Sequence, residues 1–374
     1  MPKKETAPAS PPAERYRVGT LEKALSVLEL LERGARPLSI QEIAKATSIQ
    51  RAAVFRMLCT FQRRGYVERL ETKKYRCTSR RRHIQIGFCA PLTGSPFRVD
   101  IAASIRAAAA QANVDLLVID NNEDEPDASL KNAHLLIDAH VDLVIMFQPN
   151  EWIGHTMADC FLHAGVPFVT VEIPLPGGVY FGANNYRAGL LAGQVLGRFA
   201  DRNWRGRYDG VVLVESSLAS TTVPARLAGV LVGLGETLGP VDESRVTHLD
   251  GRSHREASRA AMAAFLSRWP KGARLLIACF NDPAAIGTLD AVRAAGREKD
   301  VVIVGQNATQ ESREELRNPR SRFIASIAYF PERYGGRLIR LATSILNREP
   351  VPPAVYTEHL VIDSRNVEEF YGGK

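Results

Sequence analysis

The residues best able to do chemistry lie in one short basic stretch. Arginines stand at positions 51, 56, 63 and 64, between Gln50 and Gly65. If this stretch is a helix with Val54 at the centre of its buried face, a step of about 100° per residue puts Ala52, Arg56, Cys59 and Arg63 on the opposite side. An outward arginine on a helix can make a bidentate contact to guanine in the DNA major groove, worth about 1–3 kcal/mol of discrimination. Arg51 and Arg56 are best placed for this, Gln50 can pair with adenine or phosphate, and Ala52 allows close approach. Lys73 and Lys74, with Arg63 and Arg64, suit phosphate contacts that position a protein without reading sequence. The plainer reading of each is a solvated charge.

Catalysis finds no comparable support. The chain has no phosphate-binding Gly-x-x-x-x-Gly-Lys loop, no nucleophile elbow and no His-Glu-x-x-His. Gly233, Gly235 and Gly239 resemble a dinucleotide fingerprint in composition only, because they fall late in a helical stretch instead of between a strand and a helix start. Cys59, Cys77, Cys89, Cys160 and Cys279 lack paired spacing and read as reduced thiols, not as a disulfide framework or a zinc site. His134 and His140 have no further ligands arranged around them. The expectation is a protein that is not an enzyme and holds no metal or cofactor.

The elements that would present these arginines can be read from periodicity. Leu21, Ala24, Leu25, Leu28 and Leu31 recur at helical spacing after Thr20, a plausible N-cap, with Gly34 as the stop. Ser39-Ile40-Gln41-Glu42 is a capping-box pattern opening a second helix with Ile43 and Ala44 on its apolar side. The third helix, residues 50–64, buries Val54, Leu58 and Phe61. A strand at 66–69, a polar turn through Glu71 to Lys74 and a strand at 75–77 complete a hairpin. Three helices followed by a hairpin make a winged helix at 17–78, preceded by a flexible tail at 1–16.

Charge divides the chain near the same boundary. Through His83 there are 19 Lys plus Arg against 8 Asp plus Glu, a net of +11, whereas the remainder carries 29 basic against 33 acidic residues, a net of −4. A basic module joined to a larger acidic one indicates an anionic partner at one end only. A linker at 79–83, containing Arg80, Arg81 and Arg82, is too short for a long tether and could touch phosphate. From residue 84 onward, apolar runs at 84–89, 115–119, 143–147, 168–171, 210–214, 275–279, 301–304 and 324–327 alternate with amphipathic helical stretches. That alternation predicts an α/β fold with parallel sheets covered on both faces, and the length suits two doubly wound lobes. No apolar run approaches the ~20 residues of a membrane span, and the first residues lack the apolar stretch of a secretory signal, so a cytoplasmic location without membrane contact is expected.

Two family resemblances sharpen this reading. Ala24-Leu25-Ser26-Val27-Leu28-Glu29-Leu30-Leu31, Leu38-Ser39-Ile40-Gln41-Glu42-Ile43-Ala44, Val54-Phe55-Arg56-Met57-Leu58 and Gly65-Tyr66-Val67-Glu68 resemble the IclR-type winged helix-turn-helix over residues 18–78. Arg56 falls on that family's usual recognition-helix arginine, while Ala52 and Ala53 stand where Ser or Thr is common. Residues 84–374 are similar instead to type I periplasmic sugar-binding proteins and the effector domain of LacI-family repressors. The matching motifs are Ile86-Gly87-Phe88 opening into Ser95-Pro96-Phe97, Asn184-Asn185-Tyr186-Arg187-Ala188-Gly189, Asn281-Asp282 with Ala285-Ile286-Gly287, Val304-Gly305-Gln306-Asn307, and Ile327-Ala328-Tyr329.

The second resemblance implies a ligand cleft between lobe 1 (about 84–184 and 330–356) and lobe 2 (about 185–329 and 357–374), with chain crossings near Asn184, Tyr329 and Tyr356. It implies that Phe97 stacks on an apolar sugar face, that Arg226 and Asn281 bond hydroxyls, and that Asn307 and Tyr329 complete the set. Glu172 lies where sugar binders often carry an acid followed by arginine, but Ile173 follows here. Arg98 and Asn307 occupy positions where an aromatic residue and an aspartate are common. Trp152 could line the cleft mouth or belong to the core.

The combined reading is a homodimeric, ligand-responsive transcription regulator that binds a double-stranded DNA operator and a small polar effector, a sugar or sugar derivative. The rival is the sugar receptor of a transport system, against which stand the winged helix and the missing signal segment.

Overall fold

A computed structural model describes residues 18–34, 36–77, 84–121, 126–217 and 223–372. The tail expected at 1–16 and the linker expected at 79–83 lie outside them. Contacts divide the chain into two compact units between Ile84 and Gln85.

The first unit contains α1 (Gly19–Arg33), α2 (Ile40–Thr47), α3 (Arg51–Arg63), β1 (Val67–Arg69) and β2 (Tyr75–Cys77). Val27, Leu31, Ile43, Val54, Leu58, Val67 and Tyr75 close its core, drawn from one stripe on each helix and alternate positions of the hairpin. The capping box forms: the Ser39 hydroxyl accepts the Glu42 N–H at 3.3 Å, and the Glu42 carboxylate accepts the Ser39 N–H at 2.7 Å. These bonds and nearby Arg36 hold the Glu42 carboxyl down at about 2. α1 departs from expectation because Val18, not Thr20, is its N-cap. The N–H groups of Leu21 and Glu22 both donate to the Val18 carbonyl, so the first turn closes earlier and Thr20 lies inside it. Leu38 and Tyr75 exchange backbone hydrogen bonds of 2.8 and 2.7 Å, tying the segment before α2 to the wing.

The second unit begins with β3 (Gln85–Ala90), α4 (Pro96–Ala112), β4 (Asp115–Asp120), α5 (Pro126–Asp138), β5 (Leu143–Met146), α6 (Glu151–His163), β6 (Phe168–Val171) and β7 (Val179–Gly182). It continues through α7 (Asn185–Trp204), β8 (Gly210–Glu215), α8 (Val223–Leu238), β9 (Val246–Asp250), α9 (Arg255–Leu266), β10 (Leu275–Cys279), α10 (Asp282–Ala294), β11 (Val301–Asn307), α11 (Gln310–Leu316) and β12 (Phe323–Ala328). α12 (Tyr334–Leu346), β13 (Ala354–Tyr356), β14 (Leu360–Asp363) and α13 (Val367–Tyr371) end it.

Two six-stranded sheets result, ordered β13-β7-β6-β5-β3-β4 and β14-β12-β11-β10-β8-β9. The first is parallel throughout, and in the second only β14 runs antiparallel, beside β12. β5 and β10 are buried at every position, which is why their sequences are continuously apolar. β9, β13 and β14 had no such run to betray them, being half-exposed strands at sheet edges. The chain passes between the sheets after β7, after β12 and after β13.

α7 and α8 approach backbone to backbone. A Cβ on Gly189 or Gly193 would stand 1.8 Å from the Arg226 carbonyl oxygen or 2.1 Å from that of Val230, and one on Gly233 would stand 2.2 Å from the Leu190 carbonyl oxygen. Gly233 is therefore a helix-packing residue inside α8, which removes the dinucleotide reading of this stretch.

Candidate functional site

The structure provides two separate surfaces with chemical capacity. In the first unit, Gln50 is the N-cap of α3, and Arg51, Ala52, Arg56 and Arg63 are exposed on the helix while Val54 and Leu58 are buried. Among the described residues no carboxylate pairs with Arg51, Arg56 or Arg63, so three cations on α3 are available to an anionic partner. Lys73 is exposed at the hairpin turn, with φ of 57°, and Lys74 beside it is half-buried. Phe55, 48% exposed next to Arg56, was not singled out from the sequence. The orientation of α3 turns its ring outward.

In the second unit a polar cluster forms at the C-terminal ends of the strands, where both sheets contribute. Arg226, on α8, is only 7% exposed. Its Nε and one terminal nitrogen donate to the Asn185 side-chain oxygen at 2.9 and 2.5 Å, and the other donates to the Phe280 carbonyl at 2.7 Å. The guanidinium also lies over the rings of Phe280 and Tyr329, at 4.5 and 5.4 Å from their centroids. Phe97, at the start of α4, meets Tyr329 and Tyr334 edge-on at 6.2 and 5.9 Å. Residues of the first sheet's layer thus touch residues of the second.

Glu172 follows β6 with φ of 64°. Tyr334 donates its hydroxyl to this carboxylate at 2.6 Å. Burial pushes the Glu172 carboxyl above the usual range, while the Tyr334 bond and the Arg226 charge oppose that shift. Tyr329 is buried and donates to the Gln306 side-chain oxygen at 2.9 Å. His359 lies 4.7 Å from Tyr329, ring to ring, and its Nε2 accepts the Asn184 N–H at 2.9 Å. Desolvation, followed by the Arg226 charge, lowers its pKa to about 4, so the imidazole is neutral at pH 7 and carries its proton on Nδ1.

The sequence-derived candidates separate into three kinds of position. Phe97, Glu172, Arg226 and Tyr329 come together. Asn307 closes β11 with φ of 100°, and its buried Oδ1 meets no donor among the described residues. The Asn281 side chain is engaged by backbone groups of other residues: it accepts the Ala284 N–H at 2.9 Å as the cap of α10 and donates to the Ser253 carbonyl at 3.2 Å. Arg98 is half-buried on the first turn of α4. Trp152 is 82% exposed on the first turn of α6, which corrects the core alternative. An indole on the first turn of a surface helix finds no layer to cover it.

Asn185, Phe280, Gln306, Tyr334 and His359 were missed. Each belongs to the cluster through a contact distant in sequence, and none has a type that announces it. Among the described residues no group of His, Cys, Asp and Glu could hold a metal, and no helix is long and apolar enough to cross a membrane.

A family model described as the periplasmic binding protein domain matches residues 86–350. The chain belongs to this family. The first unit of this binding-protein chain carries an IclR helix-turn-helix domain, matched over residues 20–71. No curated protein matches the sequence. Among solved structures, the chain is similar to a Mycobacterium smegmatis protein in complex with β-D-fucofuranose, at 22% identity and a TM-score of 0.66, covering 77% of this chain and 94% of that one. It is also similar to a periplasmic solute binding protein of an ABC transporter from Actinobacillus succinogenes with bound D-allose, at 18% identity and a TM-score of 0.65, covering 76% and 99%. A third is the binding protein of the arabinose ABC transporter from a Shewanella species, bound to L-arabinofuranose, at 18% identity and a TM-score of 0.64, covering 77% and 94%. At these identities the structures share the two-sheet fold of the binding-protein domain.

Proposed function

We propose that this chain is a cytoplasmic, homodimeric transcription regulator in which α3 reads operator DNA and the binding-protein domain senses a sugar or sugar derivative. One observation carries the reading: an IclR helix-turn-helix, with unpaired arginines outward on α3, stands in the same chain as a binding-protein domain with a buried polar cluster between its sheets. Neither half alone points to a sensor of this kind.

The cluster supports a hydroxyl-bearing ligand. An unsatisfied buried acceptor costs about 1–3 kcal/mol, and a hydroxyl donating to Asn307 Oδ1 would recover it. The two guanidinium N–H groups of Arg226 not engaged by Asn185 and Phe280 can donate to ring or hydroxyl oxygens, and Phe97 offers an apolar surface to a sugar face. Similar folds holding fucofuranose, allose and arabinofuranose give this class its support. Asn307 in place of an aspartate removes a charged acceptor from the cleft, and Ile173 in place of an arginine removes a charged donor. In this reading Arg51, Arg56 and Gln50 contact bases, Arg63, Lys73 and Lys74 contact phosphates, and Arg98 and Trp152 border the cleft.

An effector alters operator affinity only through its different affinity for two states, and a coupling of about 1–3 kcal/mol is the expected size. A panel of sugars, polyols and sugar acids tests the input: a ligand at 100 times its dissociation constant should add about 2.7 kcal/mol of stability. Silence across the whole panel would remove the sugar reading. DNA from around the protein's own gene tests the output. Binding should weaken steeply with salt, and Arg56→Ala should cost about 1–3 kcal/mol, or roughly 5- to 150-fold. Unchanged affinity in that variant would remove Arg56 from the interface.

A further inference from the structure

A hollow of about 290 Å³ opens on the flank of the second sheet, lined by the C-terminal half of α7, by β12 and β14, and by the turn that follows β14. It is remote from the cluster described above. Ala325 pairs with Asp363, which places this turn at the N-terminal end of the parallel strands, whereas Asn307 and Tyr329 stand at their C-terminal end. α7 spans the distance, with Asn185 at one end and Arg202 near the other.

The lining is chemically divided. Phe199 and Val361 form part of an apolar floor, and Arg198, Arg202 and Arg365 stand at the rim. Arg365 is held by Asp363 through bonds of 3.0 and 2.5 Å, so those two charges cancel. Arg198 and Arg202 have no carboxylate within ion-pair distance among the described residues. Two like charges one helical turn apart repel, and an anion between them reverses that cost. A planar guanidinium pair suits a phosphate dianion, with two N–H donors from each fork.

We propose that this hollow is a second small-molecule site, taking a phosphate monoester on a compact carbon skeleton: the phosphate between Arg198 and Arg202, the skeleton on Phe199 and Val361. The volume lies at the low end for ligand pockets, which fits a phosphorylated metabolite of hexose size and not a dinucleotide. The site stands independently of the cleft and of what the cleft binds. A chain with both would register a phosphorylated metabolite separately from its neutral effector.

Isothermal titration of the full chain with glucose 6-phosphate tests this, with glucose and inorganic phosphate as separate titrants. Glucose 6-phosphate should bind more tightly than inorganic phosphate, and its affinity should fall as ionic strength rises. The double variant Arg198→Gln, Arg202→Gln should lose at least tenfold in affinity while melting like the parent, and Arg226→Gln in the cleft should leave it within twofold. Three outcomes overturn the proposal: no heat from glucose 6-phosphate at millimolar concentration, equal affinity in the double variant, or loss of binding in Arg226→Gln, which would move the phosphate ester to the cleft. Weaker operator binding by the double variant without any phosphate ester would assign the two arginines to DNA, and would overturn it also.

Discussion

Replacing Asp282 by asparagine should change how the stability of the second unit depends on pH. Asp282 opens α10, is fully buried, and accepts hydrogen bonds from the Ser312 hydroxyl at 2.6 Å, the Ser326 hydroxyl at 2.7 Å and the Thr309 N–H at 2.8 Å. Burial outweighs these bonds and pushes the carboxyl up to about 6, against an ordinary 3.8. The folded state therefore holds a proton over a range where the unfolded chain has released it. Stability from this group is fully present below pH 4 and is lost as pH rises through 6. A shift of about two pH units corresponds to about 3 kcal/mol. Asparagine does not titrate, so between pH 4 and 7.5 the stability of Asp282→Asn relative to the parent should rise by most of that amount, about 2.4 kcal/mol, on top of a constant offset from the lost acceptor. For a unit of this size the change amounts to about 5 °C in Tm. Calorimetry of both proteins at pH 4, 5, 6 and 7.5 measures it, and the other carboxylates cancel in the difference. Parallel Tm curves would refute the reasoning, because they would mean that Asp282 titrates alike in the folded and unfolded chain. The turn at issue is the one that carries Asn307: Ser326 also accepts the Ala308 N–H at 2.9 Å, so the Asp282 network holds that turn in place.

Ser39→Ala removes half of the α2 capping box and should cost about 1 kcal/mol of stability in the first unit, read by urea unfolding followed in that unit; no change would mean that α2 is held by packing alone. Gly193→Ala drives a methyl group into the Val230 carbonyl and should destabilise the second unit by about 2 kcal/mol or more, lowering its Tm; an unchanged melt would show that α7 and α8 can separate freely. Trp152→Ala should stay within about 0.5 kcal/mol of the parent, since its indole is mostly in water, and a larger loss would show that the ring is covered in solution.

Local signals were the legible ones. The capping box at Ser39 and Glu42, the buried stripe of Val54 and Leu58 and the continuous apolar runs of β5 and β10 each express their structure within a few residues. The start of α1 was misplaced because an exposed first turn accepts several caps at similar free energy. β9 and β14 escaped notice because an edge strand, wet on one side, keeps polar residues such as His248 and Asp250. Gly233 shares with a nucleotide motif only its composition, because the same absence of a Cβ serves either a phosphate or a neighbouring helix.

What the sequence by itself determined was the basic winged helix with Arg56 facing outward and the alternation of buried strands and helices that follows it, because periodicity and capping act over one or two turns of chain. Which polar groups meet was decided only by tertiary structure. Arg226 meets Asn185 and Phe280, and Glu172 meets Tyr334, across separations that no local pattern encodes. The same holds for Asn281, drawn into capping α10, and for Asn307, left with a buried acceptor at the end of β11. Their residue types are compatible with either role, and the choice between binding and bracing belongs to the neighbours that folding brings to them.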